Sequence, residues 1–532
     1  MILVTADEMR AMDRRTIETF GIPGRVLMES AGRGAAEFLL EQFPDIGARN
    51  VAVVAGRGNN GGDGHVIARC LAQRDIAVTV YLLAERSRVS GEAGENLGLL
   101  TEMGVPVEEV PDGDAFDAAK AAMRRHDLWI DAILGTGLKS DVKGFFRDVI
   151  EFINNSEHPV FAVDVPSGLD SDTGRICGSC IRASATATFA FAKTGHFIHP
   201  GASLRGVLRI VDIGVPPHIV AEVAPKQFLL TTSWVQAVLR PRAPDIHKGK
   251  TGHLLVAAGA TGKTGAASMT AMGAMRSGAG LVTLAVPAAL NAILETLLTE
   301  VMTVPLEDQG SGILKAPAAK ILLELAEGKN ALALGPGIGQ SAETRQAIRA
   351  LVSECRTPLV IDADGLNLLA DDTSVLRHRK SATILTPHPG EMARLTGGSV
   401  ADIQSDRVGC ARRFAEDHRV HLVLKGANTV IAHPDGSVYL NSTGNAGMAS
   451  GGMGDVLTGM IAGFLAQGYS PDAAANIGVY LHGAAADSLA ESFGPYGYIA
   501  TDVMQQIPVE IGRITSCKQP ALTWNETIER IF

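Results

Sequence analysis

Val51-Ala-Val-Val-Ala55 runs without a break into Gly56-Arg57-Gly58-Asn59-Asn60-Gly61-Gly62-Asp63-Gly64, and a helix-forming stretch follows at once. A short apolar run of this kind reads as a buried strand. A glycine-rich passage from such a strand into a helix leaves backbone N–H groups free at the positive helix end, where they hold anions. The spacing is not the dinucleotide fingerprint, because Asn59-Asn60-Gly61-Gly62-Asp63 fills the positions where that motif has variable residues and its last glycine. A turn that needs only glycine gains little from two Asn and an Asp. The stretch therefore predicts a phosphate-binding strand-to-helix turn in an α/β domain.

Further apolar runs at Val78–Leu83, Leu128–Leu134, Val160–Val165, Ala185–Ala192 and Val207–Val211 are mostly separated by enough chain to hold a helix, which predicts a parallel sheet wrapped by helices. Upstream, Glu8 to Phe20 and Val26 to Leu40 are predicted helices parted by Gly-Ile-Pro-Gly. Pro225, Pro241 and Pro244 punctuate an aperiodic stretch read as an interdomain connection. A second strand series follows at His253–Ala258, Leu281–Val286, Ala331–Leu334, Leu359–Asp362 and Thr383–Thr386. Val420–Lys425, Thr429–Ala432 and Val438–Asn441, joined by Gly-Ala-Asn and Pro-Asp-Gly, predict an antiparallel meander. No fixed-period repeat links the halves, so two different α/β domains are expected, over 1–222 and 231–532.

Composition narrows the function. The chain of 532 residues is 46% hydrophobic and 20% charged, which excludes disorder and leaves ample core for several domains. Its 57 acidic and 47 basic residues give a formal charge of -10, which excludes nucleic acid as a main partner. The six cysteines, Cys70, Cys177, Cys180, Cys355, Cys410 and Cys517, are irregularly spaced and form no disulfide framework. Cys177 and Cys180 have redox or zinc spacing without a second pair, and the spacing is read as coincidence. Acid at Asp7 precludes a signal-peptide core, and no apolar run is long enough to span a membrane, so a soluble, cytoplasmic protein is expected.

Two other strand ends in the first half carry oxygen ligands, Asp131-Ala-Ile-Leu-Gly135-Thr-Gly137 and Asp164-Val-Pro-Ser167-Gly168-Leu-Asp170. The carboxyl ends of parallel strands line one crevice, so Asn60, Asp131, Asp164 and Ser167 can converge there, as a hard-oxygen set suited to an alkali or alkaline-earth cation. With Gly21-Ile-Pro, Leu27-Met-Glu-Ser-Ala-Gly32 and Phe191-Ala-Lys193-Thr-Gly, these motifs resemble the NAD(P)H-hydrate epimerase family over roughly residues 1–220. The resemblance implies a Rossmann-like domain that interconverts the R and S forms of NAD(P)H hydrated at C6 of the nicotinamide ring, NADHX and NADPHX. It implies that Asn59, Asn60, Gly61, Gly62 and Asp63, with Gly135, Thr136, Gly137, Leu138, Lys139, Ser140 and Asp141, hold the hydrate. It implies further that Asn60, Asp131 and Ser167 bind potassium, K+, and that Asp164 contacts the reacting ring as acid/base. Lys193 is read as a surface lysine, with assistance to Asp164 as the other reading; His196 and His199 are given no role.

In the second half, Ala257-Ala-Gly-Ala-Thr-Gly262-Lys263-Thr264 fits a loose Walker A pattern, and Leu359-Val-Ile-Asp362 fits a Walker B strand, so a P-loop NTPase has to be weighed. Asn445-Ala446-Gly447-Met448-Ala449-Ser450-Gly451-Gly452-Met453-Gly454-Asp455 has more of the parts for phosphoryl transfer, because its acid opens an apolar helix whose N–H groups stabilise negative charge. Together with His247–His253, Gly335-Pro-Gly337-Ile-Gly339, Asp362-Ala-Asp364-Gly365, Thr386-Pro-His388-Pro-Gly-Glu391 and Lys425-Gly426-Ala427-Asn428-Thr429, this loop resembles the ADP- or ATP-dependent NAD(P)H-hydrate dehydratases, of ribokinase-like fold, across nearly all of 231–532. The resemblance implies that Lys425 to Thr429 and Asn445 to Gly454 cradle ADP (or ATP) with Mg2+, that Ala266, Gly337, His388 and Asp455 contact the hydrate, and that Gly262-Lys263 belongs to the substrate-side loop. His388, between two prolines, fits equally a residue that fixes its loop. A homo-oligomer is expected. The competing function is a ribokinase-like kinase of a small alcohol or vitamin precursor carrying a non-catalytic N-terminal binding module.

Overall fold

The strand that feeds the glycine turn lies inside its sheet. In the computed structural model, which describes residues 1–516, the chain forms two compact units, Met1–Gln227 and the residues from Phe228 on. Cys517 and the end of the expected second domain lie outside the described residues.

The first unit holds a seven-stranded sheet in the order Val107–Glu109, Val78–Leu82, Val51–Ala55, Leu128–Ala132, Val160–Val163, Ala185–Phe189, Val207–Val211, and every pairing is parallel. The chain lays two strands to one side of Val51–Ala55, then returns to build outward from its other side. Between Val51–Ala55 and Leu128–Ala132 the strand order reverses, and the loops leaving the two carboxyl ends part to leave a crevice. The two ends are in contact: a Cβ on Gly56 would stand 2.2 Å from the Ile133 carbonyl oxygen.

The expected helices are present at Ala6–Arg15, begun by a capping box between Thr5 and Glu8, and at Gly24–Gln42 after Pro23. The first continues through a π turn, Thr16–Phe20, to Gly21. The run Ala185–Ala192 is not one strand. Ala190 has φ 57, which turns the chain between Ala185–Phe189 and Ala192–Lys193. Val107-Glu-Glu109 was not expected as a strand, since an edge segment with one apolar residue has no strand signature.

The second unit repeats the device with different parts. Leu281–Pro287 and Met302–Leu306 lie to one side of His253–Ala257, while Ala331–Leu334, Leu359–Ile361, Thr383–Leu385 and His421–Leu424 lie to the other, all parallel. Val430–Ala432 and Val438–Leu440 then add the antiparallel meander. Met302–Leu306 escaped sequence reading because Pro305 argues against a strand; it is tolerated where the sheet has an edge. The reversal falls between His253–Ala257 and Ala331–Leu334, above which lie the loops carrying Lys263 and Gly337.

Two helices floor that second crevice, Thr264–Arg276 and Met453–Ala466. They touch backbone to backbone: a Cβ on Gly459 would lie 2.1 Å from Thr270 O, and one on Gly273 would lie 2.7 Å from Val456 O. Met453–Ala466 is buried along almost its whole length, so its apolar sequence belongs to the core. Among the described residues no helix is long and apolar enough to cross a membrane.

Gly459→Val must separate these helices and is expected to destabilise the chain by about 3 kcal/mol, the upper end for overpacking. Gly512→Ala, in open space within the helix Ala500–Ser516, is expected to stabilise it by about 0.5–1 kcal/mol. Thermal unfolding followed by circular dichroism should move in opposite directions for the two variants.

Candidate active sites

The crevice of the first unit is a cleft of about 1220 Å³. Asn59, Asn60 and Asp63 enter it from the start of helix Asn59–Ala72, Gly135 to Ser140 from the loop after Leu128–Ala132, and Asp164 from the end of Val160–Val163. Three of the residues read from the sequence do not line it. A Cβ on Gly61 would be 1.9 Å from Gly56 O and one on Gly62 2.7 Å from the Met28 side chain, so these glycines serve the packing of the turn. Asp141 is exposed beyond the cleft.

Beneath the cleft, Asp131 and Ser167 are fully buried. Ser167 donates from Oγ to Asp131 Oδ1 at 2.5 Å and from its backbone N–H to Asp131 Oδ2 at 2.7 Å. Burial pushes the Asp131 carboxyl up to about 6 despite these bonds. Asn60 stands over Gly135, and both its amide atoms are buried without a hydrogen-bond partner among the described residues. An orphaned amide near a buried acid is the donor set a monovalent cation would complete.

Asp164 is held at φ 64, and its Oδ1 accepts Lys193 Nζ at 2.5 Å and Thr188 Oγ1 at 3.0 Å. Lys193 is not a surface lysine. Its side chain is 1% exposed, and Nζ also donates to Thr188 Oγ1 and the Phe189 carbonyl. It is folded inward because Ala190 turns the chain and His196, fully buried, accepts the Lys193 N–H. Asp63 and Asp13 complete a cluster of three carboxylates around this ammonium. Burial pushes Asp63 well above the carboxylate range and Asp13 up to about 6. Nothing in the sequence around Asp13 marks it, since it sits on an ordinary amphipathic helix.

The second crevice is smaller, about 350 Å³, and is lined by Gly262, Lys263, Ala266, Gly337, Asp364, Glu391 and Asp455 among others. Lys263, the Walker-like lysine, bonds Asp364 at 2.9 Å. Burial works to raise Asp364, but hydrogen bonds from Lys263, Gln340 and Gly339 outweigh it and hold the group below its usual value. Lys425 bonds Asp362 at 2.7 Å, and Thr458 on the helix Met453–Ala466 bonds the other Asp362 oxygen at 2.8 Å. Gly454 lies directly over this pair, since its Cβ would be 3.3 Å from Lys425 Nζ. The helix N-terminus can therefore bring Asp455 beside the pair. Burial first, and then the Asp362 charge, push Asp455 up to about 6, against the pull of Lys425.

His388 does not line the crevice. It caps the helix Pro389–Thr396, accepting the Gly390 N–H, while Glu391 reaches back to the His388 N–H. The expected nucleotide loops are held from behind by residues that sequence reading did not find. Arg407 is buried and donates to the carbonyls of Leu424, Lys425 and Ala427, shaping Lys425 to Thr429. Asp487 accepts from Gly444 N and Asn445 Nδ2, and Tyr498 donates to Asn445 Oδ1, which fixes the start of the Asn445–Gly454 loop. Ala449, Ser450 and Gly451 are exposed. The loops carry no signal of their own for these partners, because Arg407 and Asp487 come from other helices and Tyr498 from the segment between two helices.

Two α/β units, each with a cleft where its strand order reverses and with an acid cluster in it, define a two-site enzyme, the second site joined to a ribokinase-like arrangement of parallel sheet, meander and loop-led helix. Residues 254–509 match the sequence pattern of the family described as NAD(P)H-hydrate dehydratase, and residues 24–195 that of the YjeF-related protein N-terminus. The chain is 44% identical to a bifunctional NAD(P)H-hydrate repair enzyme of Moorella thermoacetica, over 96% of each protein. It is 39% identical to one of Salinibacter ruber, over 95% of each. A crystal structure of an ADP/ATP-dependent NAD(P)H-hydrate dehydratase from Bacillus subtilis, co-crystallized with ATP/Mg2+, is 33% identical, with a TM-score of 0.48, covering 54% of this chain and 98% of that one. The chain belongs to the family of bifunctional NAD(P)H-hydrate repair enzymes.

Lys193→Met leaves Asp164 buried without its counter-charge and should destabilise the first unit by roughly 3–5 kcal/mol, whereas adding Asp164→Asn should recover most of that loss. Thermal unfolding of the two single variants and the double variant tests this; a double variant no more stable than Lys193→Met would show that the pair is not coupled.

Proposed function

We propose that this chain repairs hydrated nicotinamide cofactors in two steps. The first unit, over 1–222, interconverts the R and S forms of NADHX and NADPHX. The second, over 231–532, dehydrates the S form at the expense of ADP or ATP, with Mg2+ carried on the nucleotide. The observation that carries this reading is the position of Asp455, at the first turn of a buried helix, beside Lys425 and Asp362 and lining the crevice of the second unit. The full-length match to bifunctional repair enzymes supports the pairing of the two activities. The five described cysteines are free and four of them buried, which supports a reducing, cytoplasmic setting.

The chemistry follows from the leaving group. Hydroxide leaves C6 badly. Phosphorylating the hydroxyl turns it into phosphate, which departs with help from the ring nitrogen and restores the dihydronicotinamide. Asp455 takes the hydroxyl proton as the phosphoryl group arrives, the role of a kinase base. The helix N-terminus and Lys263 face the negative charge that develops, with Lys425 behind them on Asp362. Lys425 to Thr429 and Asn445 to Gly454 hold the nucleotide. In the first unit Asp164, paired with Lys193, moves the proton that epimerisation requires. Asn60, Asp131 and Ser167 would hold potassium, which supplies a fixed charge beneath the turn.

Asp455→Asn is expected to abolish dehydration while nucleotide affinity stays within about threefold. Wild-type dehydration should fall as pH drops below about 6, where the base becomes protonated. Recovered dihydronicotinamide absorbance with released orthophosphate follows both; a stable phosphorylated product would instead mark a simple kinase. Replacing potassium chloride by tetramethylammonium chloride should lower the unfolding temperature of the wild type, and Asn60→Ala should remove that difference.

A further inference from the structure

Of the charged groups that line the first cleft, Asp13, Asp63 and Asp164 interact with the Lys193 ammonium, and they are not equivalent. Lys193 bonds Asp164 and pairs with no other carboxylate within 4.0 Å among the described residues. The Asp13 carboxylate has neither a hydrogen-bond nor an ion-pair partner among them, yet it lines the same cleft. It projects from the last turn of the helix Ala6–Arg15, and Met9, Arg10 and Ile17 of the same stretch line the wall around it. The charged groups facing it from other elements are Lys193, Asp164 and Asp63.

C6 of a hydrated dihydronicotinamide is a hemiaminal carbon, bonded to a hydroxyl and to the ring nitrogen. Its configuration inverts when the hydroxyl loses its proton and C6=O forms, while the C6–N1 bond breaks with its electron pair going to N1, which takes up a proton. Rotation about C5–C6 offers N1 the other carbonyl face, and closure returns both protons. Nothing is oxidised or consumed. The step needs a proton acceptor at one atom and a proton donor at another in the same instant, so it needs two groups of opposite protonation state. We propose that Asp13 is the second proton-transfer residue of this cleft, protonating the ring nitrogen while Asp164 takes the proton of the C6 hydroxyl, a role that rests on the epimerase reading of the first unit.

The environments fit the division. Asp164 Oδ1 accepts from the Lys193 ammonium at 2.5 Å and from the Thr188 hydroxyl at 3.0 Å. Burial, opposed by Lys193 and aided by Asp164, pushes Asp13 up to about 6, so that it gains and loses its proton near that pH. Burial first, and then the Asp164 and Asp13 charges, also push Asp63 well above its usual value. Asp13 also lies ahead of the residues 24–195 that match the family pattern.

The test uses the full chain with R-enriched NADHX and potassium, without nucleotide, and follows the R/S ratio by chromatography from about pH 5 to about pH 9. The wild type is measured first: a rate no faster than the uncatalysed one would remove the epimerase reading itself. Given catalysis, Asp13→Asn should lower kcat by about 100-fold or more with KM within about threefold, and Asp13→Glu should restore part of it. The wild-type rate should fall as pH rises past about 6, and that limb should be missing from the residual activity of Asp13→Asn. A kcat within threefold of wild type, a loss confined to KM, or a limb that persists in Asp13→Asn would each overturn the assignment.

Discussion

A carboxylate taken out of water remains an anion only beside a counter-charge, and both clefts are organised by one such pair. Lys193 fixes Asp164 in the first unit, and Lys425 fixes Asp362 in the second. Each lysine does more than neutralise its partner. Each also holds its partner in place beside a further carboxylate. Burial then raises the neighbours, Asp13 in the first unit and Asp455 in the second, to about 6 in each case. A carboxylate moved in this way toward the working pH can give and take protons there.

The sheet topology is what brings these groups together. Parallel strands deliver their carboxyl ends to one edge, and a reversal of strand order parts the loops there without leaving unpaired backbone in the interior. The price is crowding below the crevice, and glycine resolves it. Gly56 lies against the Ile133 carbonyl, and Gly335, at φ 116, lies against the Asp362 carbonyl, where a Cβ would stand 2.1 Å away. Any larger residue would push apart the strands whose ends carry Asp131 or Asp362.

Most of the fold could be read from the sequence because buried parallel strands announce themselves as short apolar runs. Elements that failed this test had a physical reason: Val107–Glu109 lies at an edge and needs no apolar face, and Met302–Leu306 carries a proline that an edge tolerates. At the sites, loop residues with unusual chemistry, such as Asn60, Asp164 and Asp455, were legible because no turn or helix start requires them. Lys193 was not, since a lysine in sequence looks the same whether it points out or in, and its burial depends on the left-handed turn at Ala190. Asp13, Arg407 and Asp487 were invisible for the same reason. Each sits on a helix whose pattern is satisfied without it, and each acquires meaning only from a loop far away in the chain.

The two clusters also differ in balance of charge, and the difference suits the chemistry assigned to each. In the first, Lys193 interacts with three carboxylates, of which Asp13 and Asp63 are raised by burial, so a proton can be passed within the cluster near the working pH. In the second, Lys263 and Lys425 face Asp362, Asp364, Glu391 and Asp455, and Asp364 is held below its usual range. That crevice carries excess negative charge whenever Asp455 is ionised. A phosphoryl donor can approach such a site only if its own charge is offset, by the N–H groups at the helix start and by the divalent ion it brings. An acid that must act as base there benefits from a raised pKa, because the more basic carboxylate accepts the hydroxyl proton more readily once the donor is in place.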